Sequence, residues 1–189
     1  MFGWLAARSI PLCRRAPRAL ASRRIRPITP HAWLDLLPAL GSVLYLHTRS
    51  TAVMGDVFPS GMLVSHRAFA PLLEARWLVA VCVVTDDGPR EWCECVDHLG
   101  RTRARWHLLP DSDYLAWDAL TASCQADTDM LARIDAQPLR PDHACVVNFR
   151  VRHLAGLDVL EHDTAVALSP LGDHLAARIA HAEAVLLAS

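Results

Sequence analysis

The sequence predicts an α+β fold, an antiparallel β-sheet with flanking helices. Three observations carry this. Short apolar runs with period-two alternation follow one another through tight turns rather than through helices. Helical spacing of apolar residues appears near 33–40, 114–124 and 171–186, before and after the strand-rich middle and not between each pair of strands. Finally, Trp92 to Leu109 reads as strand, turn, strand, with Asp97-His98-Leu99-Gly100 as the turn.

Taken in order, residues 1–30 hold seven Arg, no acidic residue and Pro11, Pro17, Pro27 and Pro30. They are expected to be a basic, disordered tail with some marks of a transit peptide, leaving 31–189 as a single domain. Trp33 to Leu40 reads as a short helix leading into Gly41. Val43 to Thr48 is a strand, Thr51 to Phe58 its partner, Pro59-Ser60-Gly61 a turn, and Met62 to Ser65 a further short strand. Trp77 to Thr85 is almost wholly apolar, as a strand buried on both faces must be. Asp86-Asp87-Gly88-Pro89 turns into the hairpin 90–96/101–109. Asp111-Ser112-Asp113 caps a helix whose apolar stripe is Tyr114, Trp117, Leu120 and Cys124. Residues 125–142 read as helix end and loop, Ala144 to Val151 as a strand, and Asp163 to Leu168 as another. Ser169-Pro170 is an N-cap followed by proline at the first helical position. The last helix places Leu171, Leu175, Ile179, Ala182 and Leu186 on one face, with His174 and His181 facing solvent.

Composition narrows the function. The chain has 189 residues, 52% hydrophobic and 21% charged, enough apolar material for one core of ordinary size. No apolar run reaches the roughly 18 residues of a membrane helix. A net charge of -1 gives no general basis for nucleic-acid binding. All 19 basic residues are Arg, so Schiff-base, P-loop and general-base lysines are excluded. The six Cys are read as reduced thiols of a cytoplasmic protein, with Cys82, Cys93 and Cys95 in strand-like apolar runs. Cys93-x-Cys95 with His98 lacks structural-zinc spacing, which favours core packing over a metal site.

The hairpin carries the chemistry. Period two puts Arg101, Arg103, Arg105 and His107 on one face, a surface for carboxylates or phosphates. A symmetric four-residue turn would set Val96 opposite Arg101, Glu94 opposite Arg103 and Trp92 opposite Arg105. The plainer reading of the same pattern is a solvated face with a Glu–Arg pair and a cation–π contact.

Residues 97–120 resemble a segment of the hemin-degrading, HemS-like heme-utilisation family, in which a strand ending in Asp-x-x-Gly precedes a basic strand, a Ser-Asp cap and a helix with an aromatic and Leu. Leu40-Gly41, Thr48-Arg49, and Arg67 with Trp77 extend the similarity over roughly residues 33–124. The resemblance implies a single HemS-like repeat where the family has two, and hence a homodimer. It implies a heme-binding protein of heme utilisation, whose propionates would meet Arg67, Arg101, Arg103, Arg105 and His107, with Tyr45, Trp92 and Trp106 as apolar walls. The family's basic-strand His falls on Ala104, and its axial-His helix has no counterpart. His107, His66 and His98 are the candidate axial ligands by residue chemistry. A scaffold domain that has lost heme ranks second. A heme-degrading enzyme ranks third, since no catalytic signature accompanies the fold.

Overall fold

The computed structural model describes residues 21–48, 62–85, 88–134, 139–163 and 167–188. The first strand, β1, is Ala21–Pro27. It pairs antiparallel with β4 (Ala75–Thr85), Ile25 opposite Val79, and Ile25 and Ile28 are buried. The domain boundary expected at residue 31 is therefore corrected, since residues 21–30 lie within the fold. An Arg-rich edge strand can keep cationic side chains in water on one face while Ile25 enters the core.

Helix α1 (Ala32–Leu36) and a 3-10 turn at Pro38–Leu40 lead into β2 (Gly41–His47). The expected strand at 51–58 and turn at 59–61 lie outside the described residues. Strand β3 (Met62–Val64), a 3-10 turn at Arg67–Phe69 and α2 (Ala70–Leu73) precede β4. The hairpin strands are β5 (Gly88–Asp97) and β6 (Thr102–Ser112). Helix α3 (Tyr114–Thr121) follows, capped by Asp113, which accepts from the Ala116 N–H at 2.9 Å. Sequence reading missed α4 (Thr128–Ile134), whose short run of seven residues barely completes two turns of periodicity. Strand β7 (His143–Leu154) runs into β8 (Leu157–His162), also missed, where charged residues interrupt the apolar pattern. Helix α5 (Pro170–Ala182) is capped by Ser169 as expected, and β9 (Leu187–Ala188) ends the described chain.

The sheet order is β1-β4-β5-β6-β2-β7-β8-β3, with β9 on β7. Its pairs are antiparallel except β3–β8 and β7–β9. The sheet is covered on both faces. One face packs Tyr45, Leu78, Cys93, Cys95, Ala104 and Trp106 against Trp33, Leu72 and Trp117 of α1, α2 and α3. Trp33 and Trp106 meet edge-to-face at 5.1 Å and 89°. The opposite face is divided. At the β2–β6–β7 end, Leu44, Leu46 and Leu109 pack on Ala176, Ile179 and Ala180 of α5. At the β1–β4 end, Ile25, Val79 and Val81 pack on Leu131 and Ile134 of α4. Alternate residues of β4 thus enter different clusters, which explains its unbroken apolar run.

The stripe expected on α5 is corrected. Gly172, Ala176, Ile179 and Ala180 point inward, whereas Leu171 and Leu186 are exposed. Small residues let the helix approach the sheet closely. A Cβ on Gly172 would lie 1.9 Å from Asp111 Oδ2. Asp111 accepts from the Ser169 N–H at 2.8 Å and from its hydroxyl at 3.0 Å, tying the start of α5 to the end of β6.

Candidate functional site

The hairpin turn is built around Asp97, which is fully buried. Its Oδ1 accepts from Leu99 N–H at 2.8 Å and Arg101 N–H at 3.0 Å, and its Oδ2 accepts from Arg101 Nε at 2.9 Å. Gly100 takes φ +78, which a side chain would strain. Asp97 N–H bonds the Arg101 carbonyl, so the loop proper is three residues long, 98–100. Val96 therefore faces Thr102.

A bulge then inserts Arg103 between Thr102 and Ala104. Beyond it Glu94 faces Arg105 and Trp92 faces His107. The expected register is corrected by two residues, one step from the shorter loop and one from the bulge. The four-residue stripe is corrected with it. Arg103 turns toward Glu74 at the end of α2, with Nε–Oε2 at 3.7 Å, within ion-pair reach but beyond a hydrogen bond. Arg105 and His107 instead lie on the α5 face.

None of the three hairpin arginines is a solvated cation awaiting an anion. Arg101 is held by Asp97. Arg105 donates to Glu94 Oε1 from Nε at 3.2 Å and Nη2 at 3.0 Å, and from Nη1 to Glu183 at 2.5 Å. Its guanidinium carbon also lies 5.3 Å from the Trp92 ring centre, so the cation–π contact forms despite the changed register. Tyr45 and Trp106, expected as walls of an open slot, are fully buried in the core. The Tyr45 hydroxyl donates to the Ala68 carbonyl at 3.0 Å, and Trp92 lies on the other face of the sheet.

His107 is buried, and neither ring nitrogen meets a protein partner. Burial holds its pKa well below the usual imidazole value, and Arg105 and Arg90 add to the effect. It lines a cavity of about 180 Å³ between the open ends of β5 and β6 and helix α5. That is well short of the roughly 300–1,000 Å³ of common ligand pockets, so it does not accommodate a heme. His98 is exposed in the hairpin turn, away from the buried Cys93 and Cys95. Burial raises both thiols far above their usual range, and pushes Cys145 up to about 11.

The structure gathers histidines elsewhere. His47 lies opposite His143 across β2 and β7, their rings 5.4 Å apart. Tyr45 continues the chain of rings to Phe69 at 5.5 Å, and Phe69 meets His162 at 5.1 Å. His66 closes it, 5.9 Å from His162 and 6.2 Å from Phe69. Burial lowers the pKa of His47 and His162, and neighbouring imidazoles add to this. His66 Nδ1 accepts from the Ala68 N–H at 3.2 Å, which leaves the proton of its neutral form on Nε2. Exposed Arg67 follows in the chain. Of this group, sequence reading found His66, Arg67 and Tyr45. The others lie far apart in the chain, and only the pairing of β2, β7 and β8 brings them together. Among the described residues, no three His, Cys, Asp or Glu side chains meet as a metal site.

No protein-family profile matches this chain, and no curated protein matches it. Among solved structures, it is similar to holo-PhuS, a heme-binding protein from Pseudomonas aeruginosa, at 19% identity and a TM-score of 0.35. The match covers 56% of this chain and 35% of that one, so the chain spans about a third of its neighbour's length. A likeness at this level transfers neither family nor function.

Proposed function

We propose that this chain is a heme-binding protein of heme utilisation, built on a single HemS-like repeat. The observation that supports it is the edge where exposed His66 and half-buried His162 meet, their rings 5.9 Å apart, with exposed Arg67 next in the chain. An imidazole for iron and a guanidinium for a propionate are groups that a heme site needs. His162 suits the axial role better than His66, whose Nδ1 already caps the 3-10 turn and so keeps Nε2 protonated. The resemblance of residues 33–124 supports the same ligand. Arg101, Arg103, Arg105 and His107 drop out of the binding set, because carboxylates or the core already hold them.

Hemin titration followed by Soret absorbance tests this. Saturable micromolar binding is expected. His162→Ala should change the spectrum. Arg67→Ala should weaken affinity tenfold or more, from the loss of a charge-assisted contact of about 1.5–3 kcal/mol. An unchanged Soret band in the wild type would end the heme reading.

A second reading, a scaffold domain without heme, is favoured by one observation: all three hairpin arginines serve internal ion pairs.

We further propose that two chains associate to restore the two-repeat arrangement. Strand Ala75–Thr85 is enclosed between β1 and β5 and offers no interface. Leu63 on strand β3, with Leu154 and Leu157 beside it, offers exposed apolar surface for such a contact. Light scattering should give about twice 20.9 kDa. A mass of one chain, with and without hemin, would refute it.

A further inference from the structure

The cavity beneath α5 is partly open to solvent and shares no lining residue with the proposed heme edge. Leu108, Leu109 and Pro110 line it from β6, and Leu175 and Ile179 from α5. Its polar lining is Arg90, Glu91 and His107. His107 is 4% exposed, and neither ring nitrogen has a protein partner. Burial favours the neutral ring, which offers one N–H donor and one lone pair. Both stand unused by the protein, and a buried polar group left unsatisfied costs stability. A water at the ring would satisfy the imidazole but leave the apolar walls wet. A ligand with a hydrogen-bonding group on an apolar body would serve both.

The charges nearby disfavour a charged ligand of either sign. Arg105, two residues before His107, is held by Glu94 and Glu183. Glu91 Oε2 accepts from the Trp117 indole N–H at 2.9 Å. Arg90 is engaged as well. An anion would enter beside the Glu91 carboxylate, and a cation beside the Arg90 guanidinium. Either would give up hydration to meet a like charge on the wall. A neutral ligand avoids both costs. A hydroxyl is the polar group that suits the ring, because it can donate to the bare nitrogen or accept from the N–H, whichever faces the cavity. The size limit follows from volume. A dry cavity of about 150 Å³ takes up a benzene ring, and this one measures about 180 Å³.

We propose that this cavity is a binding site for a small uncharged phenol of one ring, its hydroxyl on His107 and its ring between β6 and α5. The site is separate from the heme edge and does not depend on that reading.

Phenol is the probe, with benzene as the ring lacking the hydroxyl and benzoate as the charged ring. Each is titrated into the full chain by calorimetry near neutral pH. In a wholly apolar cavity phenol would bind less well than benzene, since its buried hydroxyl would lack a partner. Here phenol should bind roughly fivefold or more tighter than benzene, and tighter than benzoate. His107→Phe should reverse the order of phenol and benzene while keeping the circular dichroism of the wild type. If that variant does not fold, Leu175→Trp, which fills the cavity from the helix side, should block phenol instead. No binding of phenol, benzene or benzoate binding as tightly as phenol, or undiminished phenol binding by either variant would overturn the proposal. Hemin titration should be the same with and without phenol, so the two sites succeed or fail separately.

Discussion

Glu94 is 5% exposed and meets three side chains. It accepts from Arg105 and from the Trp92 indole N–H at 3.0 Å, and pairs with Arg23 of β1 at 3.4 Å. A buried carboxylate needs such company, because desolvation alone would disfavour its charge. Glu94→Ala would leave Arg105 dependent on Glu183, and Trp92 without its acceptor. A loss of about 3–5 kcal/mol is expected from breaking a buried pair on one side, read as a lower midpoint in urea denaturation. A loss below about 1 kcal/mol, the usual range of exposed pairs, would show that Arg105 is held adequately by Glu183. Alternation in the sequence correctly announced a Glu–Arg pair across this hairpin. It named Arg103 as the partner, because neither the three-residue loop nor the bulge leaves a mark in the hydrophobic pattern.

Strand β1 carries the lesson at the scale of elements. Seven Arg and four Pro in residues 1–30 suggested a segment outside the fold. Yet Ile25 and Ile28 are buried, and the whole of Ala21–Pro27 pairs with β4. A chain beginning at His31 is therefore expected to lose Tm by several degrees or more. Two buried isoleucines are worth about 1.5–3 kcal/mol each, and β4 would become an exposed apolar edge prone to association. An unchanged melt would mean that β1 adds nothing to stability. The signal for β1 was present but faint, a single alternation of Ile25 with arginines on either side. By contrast, β4, the hairpin and the Ser169 cap were legible, since each is defined by a local pattern that tertiary contacts reinforce.

Across the whole molecule, burial holds three imidazoles below their ordinary pKa: His107 strongly, His47 and His162 less so. In the unfolded chain each would take up a proton near about pH 6.5. Between that pH and the lower folded values, the unfolded state binds more protons, so stability rises with pH there. Folding stability should be level above about pH 7 and decline as pH falls through 6.5, in thermal melts from pH 7.5 to 5.0. His107→Phe should make the decline shallower. A melt that stays level down to pH 5 would show that these rings are not held neutral by the fold.

The sequence by itself determined the α+β class, the order of most elements, the place of the hairpin turn and the inward face of the hairpin. These follow from periods of two and 3.6 residues and from turn and cap chemistry, all of which act over a few neighbouring residues. Only the tertiary structure decided what covers each face and which partner each charge meets. Alternation states that Arg105 and His107 share a side, but not that α5 closes over it. Nor does it state that Glu183, 78 residues away, reaches Arg105. The histidine cluster came from the same source. His47, His66, His143 and His162 belong to separate strands and a turn, and only the order of β2, β7, β8 and β3 in the sheet brings His47 to His143 and His66 to His162. Local patterning follows from the chemistry of adjacent residues, whereas the charge and solvent exposure of a site depend on segments distant in the chain.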